Sequence, residues 1–110
     1  MGRMKDRTIA LSIPMEVKKA VAERDSVDGW PCCILCGRPA PTSNPLAFSN
    51  AHYISRAQGG LGIPENTLTL CPRCHREYDS TERSAYRPIL ARHLRENYDG
   101  WDECKLVYRK

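Results

Sequence analysis

The chain has 110 residues and a formal net charge of +4. That length is one domain's worth, and no stretch approaches the ~20 apolar residues that span a bilayer. The opening run MGRMKDRTIALSIPMEVKK has no apolar core of signal-peptide length, so the expectation is one unit, 1–110, in a reducing, cytoplasmic setting.

The basic excess lies on the flanks. Residues 1–24 carry six Lys/Arg against three Asp/Glu, residues 82–110 carry seven against five, and residues 25–81 carry four against five. Such a balance is a statement about partners rather than fold.

Residues 1–11 read as basic, irregular and flexible. Ser12-Ile13-Pro14 is a helix start, and Met15, Val17, Val21 and Ala22 share a helical face through about Arg24. Asp28-Gly29 breaks that helix, and 38–45 is a turn-rich loop. Leu46 to Ile54 reads as a short strand, 55–66 as a loop, and Thr67 to Leu70 as a second strand with strict alternation. A helix follows from Cys71 through about Tyr78. Another runs from Arg83 to Tyr98, with Pro88 tolerated near its start and Ile89, Leu90, His93, Leu94 and Tyr98 on one face. Asp99-Gly100 ends it before a short final element.

Six cysteines are present, and four form two knuckles, Cys33-x-x-Cys36 and Cys71-x-x-Cys74, with 34 residues between them. The spacing lets two sulfurs of one turn reach one ion, and four thiolates make a closed, structural zinc site. Paired redox dithiols would need a thioredoxin-like setting that this chain lacks. Cys32 falls outside the knuckle spacing, and Cys104 is expected to be a buried or half-buried thiol. A closed zinc has no free coordination position, so any chemistry must lie elsewhere.

His52 ends the first strand, Asn66 precedes the second, and His75 adjoins the last knuckle cysteine. Singly, such residues have ordinary structural explanations. Together, at these spacings and locked to two knuckles, they carry more. The run Ala51-His52-Tyr53-Ile54, Gly59-Gly60, Asn66-Thr67-Leu68 and Leu70-Cys71-Pro72-Arg73-Cys74-His75 resembles the HNH endonuclease family. His52, Asn66 and His75 match its three letters in order, 14 and 9 residues apart. Thr67 and Tyr53 depart from the family's usual residues. The motif core, 33–79, covers under half the chain. The overall arrangement also resembles small HNH proteins encoded by bacteriophages.

The resemblance implies an α+β fold: a small ββα-metal core stapled by the four-cysteine zinc and flanked by N- and C-terminal helices. It implies a DNA endonuclease with His52 as general base and His75 as ligand of a second, catalytic ion such as Mg²⁺, Mn²⁺ or Ni²⁺. Asn66 would brace the loop and the His52 backbone. Many members carry a metal-binding Asp or His where this chain has Ala51. Asp79, four residues after His75, is the candidate replacement, with Asn50 the weaker one. Arg56, Arg73 and Arg76 flank the motif and suit phosphate contacts. No long helix rich in base-reading side chains is present, so low sequence specificity is expected. DNA is the expected partner, with larger phage packaging proteins a further one. A non-catalytic zinc-ribbon DNA-binding module or a phage assembly partner is the rival reading, and Ala51 is its best support.

Overall fold

The computed structural model describes the backbone of residues 2–109 and the side chains of residues 6–109. The order is α1 (Gly2–Leu11), α2 (Met15–Arg24), β1 (Ser26–Val27), β2 (Trp30–Pro31), β3 (Ser49–His52), β4 (Thr67–Leu70), α3 (Pro72–Asp79) and α4 (Arg83–Asn97). Short 3-10 turns cover Arg56–Gln58, Pro64–Asn66 and Glu103–Lys105. The α+β class and the flanking helices are as the motif implied. Among the described residues no helix is long and apolar enough to cross a membrane.

Two small antiparallel hairpins organise the centre. β1 and β2 pair around Asp28-Gly29, whose φ angles of 53° and 78° form the left-handed turn that short hairpins favour. The dipeptide is thus a hairpin turn as well as a helix breaker. β3 and β4 pair from Ser49 opposite Leu70 to His52 opposite Thr67. α3 packs against this pair, completing the strand–loop–strand–helix unit.

Several local readings need correction. Residues 2–11 are helical rather than irregular, and residue 1 lies outside the described residues. The first motif strand begins only at Ser49, because Asn44 turns the chain by accepting a 2.8 Å hydrogen bond from the Leu46 N–H. Thr67-Leu68-Thr69-Leu70 alternates polar and apolar residues, yet all four are buried. α2 covers the second face, and the Thr67 hydroxyl is satisfied by the Ile63 carbonyl at 2.7 Å. Ile89 is 50% exposed, so α4 buries Leu90, Ala91 and Leu94 instead. Pro88 stands six residues into α4 and is tolerated there because it and Ser84, whose carbonyl loses its donor, are exposed to water.

The core joins the hairpin to both flanks. Tyr53, Leu68, Leu70, Tyr78, Leu90, Leu94 and Leu106 are all buried in one cluster. A polar network runs beside it. Asp25 is buried, paired to the Arg24 guanidinium at 2.7 and 2.9 Å, bonded to His93 Nε2 at 2.8 Å, and accepts the Thr69 N–H at 3.0 Å. Burial alone would raise its pKa, but hydrogen bonds from His93, Arg24 and Thr69 hold it below the usual carboxylate value. Arg24 also donates to the carbonyls of Pro64 and Thr67, so α2 is bolted to the loop that leads into β4.

Candidate metal centres and catalytic cleft

The two knuckles meet. The Sγ atoms of Cys33, Cys36, Cys71 and Cys74 lie within 4.8 Å of one another, and Cys36 and Cys71 are 3.8 Å apart. Sulfurs at about 2.3 Å from a tetrahedral zinc lie about 3.8 Å apart, so the donor set fits that ion. Local backbone builds each half. Gly37, at φ 76°, closes the first knuckle through its N–H to the Cys33 carbonyl at 2.9 Å. Cys71 caps α3, its sulfur accepting from the Cys74 N–H. Without an ion the thiols share the site unevenly. Burial and the neighbouring thiols push Cys74 up to about 12. At Cys36 desolvation, the largest single effect, raises the pKa, but hydrogen bonds from the Arg38 backbone and the other three thiols together outweigh it and bring it down to about 7. Cys32 and Cys104 lie outside the cluster. Cys104 is exposed, contrary to the buried thiol expected, because the 3-10 turn at Glu103–Lys105 faces it outward.

An open cleft of about 900 Å³ is lined by residues of β3 and α3. His52, Asn50, Arg56, His75 and Asp79 all line it. So do Ser49, Lys18 and Arg83.

His52 is half-buried, and its Nε2 lies 2.7 Å from the Leu11 carbonyl at the end of α1. A carbonyl only accepts, so Nε2 carries the proton and Nδ1 keeps its lone pair. Burial lowers the His52 pKa, helped by the charge of Arg56 and opposed by the Leu11 bond. Burial and Arg56 favour a neutral imidazole, and the Leu11 bond leaves Nδ1 as its acceptor nitrogen. The α1 end is itself fixed. Gly62 donates to the Ala10 carbonyl at 2.9 Å, and a Cβ at Gly62 would stand 1.9 Å from the Ser12 carbonyl oxygen.

His75 sits in the first turn of α3, its Nε2 3.1 Å from Asp79 Oδ2 and its Nδ1 2.7 Å from Ser49 Oγ. Ligand atoms at about 2.1 Å from an octahedral ion are about 3.0 Å apart, so the Nε2–Oδ2 edge suits one hard divalent cation. Asp79 is also shared with Arg83, at 3.4 Å. Ala51 is fully buried in the core cluster and offers nothing to the cleft. Asn50 lines the cleft, and its buried Nδ2 has no protein partner.

Asn66 is fully buried and spends its whole amide on the intervening loop. Its Oδ1 accepts from the Ile54 N–H at 2.8 Å, and its Nδ2 donates to the carbonyls of Ile54 and Leu61 at 3.2 and 2.9 Å. The loop is braced as expected. The side chain, however, reaches Ile54 rather than the His52 backbone; its own carbonyl takes the Tyr53 N–H at 2.8 Å.

Spacing alone gave no sign of several contributors. Tyr53, just after His52, is clamped from the C-terminal flank: its carbonyl accepts from Tyr78 and Arg83, and its hydroxyl meets Arg87 and Glu103. Lys18 and the Leu11 carbonyl arrive from helices distant in sequence. Arg73 and Arg76 are exposed on α3 and stand outside the cleft lining, since α3 turns their side chains away from it.

Residues 33–81 match the family model described as HNH endonuclease. The matched segment, just under half of the chain, holds both knuckles, His52, Asn66, His75 and Asp79. No curated protein matches the chain. Nuclease activity of the HNH type, with DNA as substrate, is what such a domain supports.

Proposed function

We propose that the protein is a divalent-metal-dependent DNA endonuclease that hydrolyses phosphodiester bonds in the cleft between β3 and α3. The observation that carries this reading is the pairing of His52 and His75 in one cleft, with the proton of His52 fixed on Nε2 by the Leu11 carbonyl. His52 acts as general base at Nδ1, taking a proton from the attacking water. Its lowered pKa keeps that nitrogen free at neutral pH. His75 Nε2 and Asp79 hold the catalytic cation, which is Mg²⁺, Mn²⁺ or Ni²⁺ in this reading. When bound, the cation neutralises charge on the phosphate and stabilises the leaving oxygen. Asn66 keeps the loop after β3 in register, so that His52 stays aimed into the cleft.

Arg56 and Lys18 are the cleft's phosphate contacts in this reading. Arg73 and Arg76, outside the cleft lining, are assigned no contact at the scissile phosphate. Zn²⁺ in the four-cysteine site is structural: all four ligands come from the chain, leaving no position for substrate. Contacts to backbone rather than bases give low sequence specificity. The likeness of the motif arrangement to small phage HNH proteins leads us to place the enzyme among phage functions, linked to DNA packaging and working in the cytoplasm.

Supercoiled plasmid incubated with pure protein tests the proposal. Nicking is expected with Mg²⁺, Mn²⁺ or Ni²⁺, to stop with EDTA, and to fall about 10²–10⁴-fold in His52→Ala, the usual worth of a general base. Unchanged cleavage in His52→Ala and His75→Ala together would exclude this assignment. DNA binding without any cleavage would favour a zinc-bearing DNA-binding module, the reading that the buried Ala51 supports.

A further inference from the structure

We infer that Ser49 is a positioning residue for His75, and that its hydroxyl is what lets this histidine change tautomer when a divalent cation arrives. The inference rests on the reading of His75 as a ligand and deepens it. Ser49 opens β3 opposite Leu70, the residue before the Cys71 cap of α3. His75 lies one turn into that helix, its N–H bonded to the Cys71 carbonyl at 2.9 Å. Strand start and first helical turn therefore lie side by side, and Ser49 Oγ meets His75 Nδ1 at 2.7 Å.

The two faces of the ring make opposite demands. Nε2 faces a carboxylate oxygen of Asp79 at 3.1 Å. A carboxylate only accepts, so Nε2 holds the proton while no cation is present, and a neutral ring then takes a hydrogen bond at Nδ1. Ser49 donates it. A ligating Nε2 must be bare, so the proton of the neutral ring moves to Nδ1, and the partner there must accept. A hydroxyl does both by rotating its O–H, with no heavy atom displaced. A carbonyl or a carboxylate at that place would fix a single tautomer.

His52 supplies the contrast within the same cleft. Its partner is the Leu11 carbonyl at 2.7 Å, which accepts only and holds one tautomer throughout. A base that must always present the same bare nitrogen has a rigid partner. A ligand that must exchange its proton for a cation has an adaptable one.

The test uses the full, zinc-loaded chain. Mn²⁺ titrated by calorimetry should bind Ser49→Ala about tenfold more weakly than the parent, the lower end of the effect of a partner behind a metal ligand, because Ser49 is exposed. Zinc content and melting should be unchanged, and Ser49→Thr, which keeps the hydroxyl, should restore affinity. Nitrogen-15 spectra of the His75 ring in the parent should show the proton on Nε2 without Mg²⁺ and on Nδ1 with saturating Mg²⁺. This second measurement stands even if the alanine variant folds poorly. Parent-like Mn²⁺ affinity in Ser49→Ala, with His75→Ala unable to bind, overturns the role of Ser49 and leaves the ligand reading intact. Parent-like affinity in His75→Ala overturns both. A ring whose proton stays on one nitrogen in both spectra overturns the switch.

Discussion

The cysteine clamp and the histidine cleft share helix α3 and differ in everything that decides chemistry. The clamp draws four like ligands from two knuckles, three of them buried, and closes its own coordination shell. The cleft offers only His75 and Asp79 at the proposed cation position, with side chains 26% and 53% exposed, in an open space of about 900 Å³. A saturated site holds the chain together and excludes substrate. An unsaturated one leaves coordination positions for water and phosphate, and its weaker hold on the cation is the consequence. In the proposed mechanism the second kind of site is built upon the first.

The largest effect should come from breaking the clamp. Cys71→Ser removes a fully buried ligand and the α3 cap together, and metal-binding free energy in such sites, on the order of 10–16 kcal/mol, is folding free energy. The variant should lack zinc and a cooperative melt, as circular dichroism and elemental analysis would show. A folded, zinc-free variant would mean that the hydrophobic core suffices by itself.

Damage to the cleft should leave the clamp untouched. His75→Ala should abolish Mn²⁺ binding in calorimetry while one zinc per chain remains. Asp79→Asn separates the ligands further. It keeps an oxygen but loses the charge, and its affinity should fall between parent and His75→Ala. Equal affinity in Asp79→Asn and parent would hand the second position to Asn50, whose orphaned amide lines the same cleft.

Smaller effects should trace the support from α1. Gly62→Ala forces the Ser12 carbonyl to move, and overpacking of this kind costs about 1–3 kcal/mol. Cleavage should fall more than the melting temperature suggests, because the Leu11 carbonyl that orients His52 moves too. In the parent, at saturating metal, the acid limb of the pH–rate profile should lie below pH 6.5, the ordinary histidine value, since burial lowers the His52 pKa. Rate is lost as pH falls through that pKa, because protonation removes the base. A limb above 6.5 would assign the base elsewhere.

The smallest expected effect concerns charge at the rim. Lys18→Ala should weaken DNA affinity modestly and reduce the slope of log affinity against log salt by about one, the signature of one lost phosphate contact. A parent-like slope would remove Lys18 from the contact set.

Sequence by itself determined what depends on short spacing. Each C-x-x-C turn, the order of His52, Asn66 and His75, the β4-to-α3 junction and the extent of α4 are set by residues a few positions apart, and local geometry converts those spacings directly into structure. Tertiary structure alone decided what depends on residues far apart in the chain. Thr67 and Thr69 alternate with leucines like a half-exposed strand, and only the docking of α2 buries both faces. Arg73 and Arg76 adjoin the motif but face away from the cleft, whereas Lys18, the Leu11 carbonyl and the Arg83 clamp come from segments outside the knuckles. Nothing local marks a backbone carbonyl at residue 11 as the partner of a histidine at residue 52, because carbonyls are identical along the chain and only packing selects one. The hydrogen-bond partners of the two histidine rings, and with them the proposed division between base and ligand, are therefore properties of the folded chain.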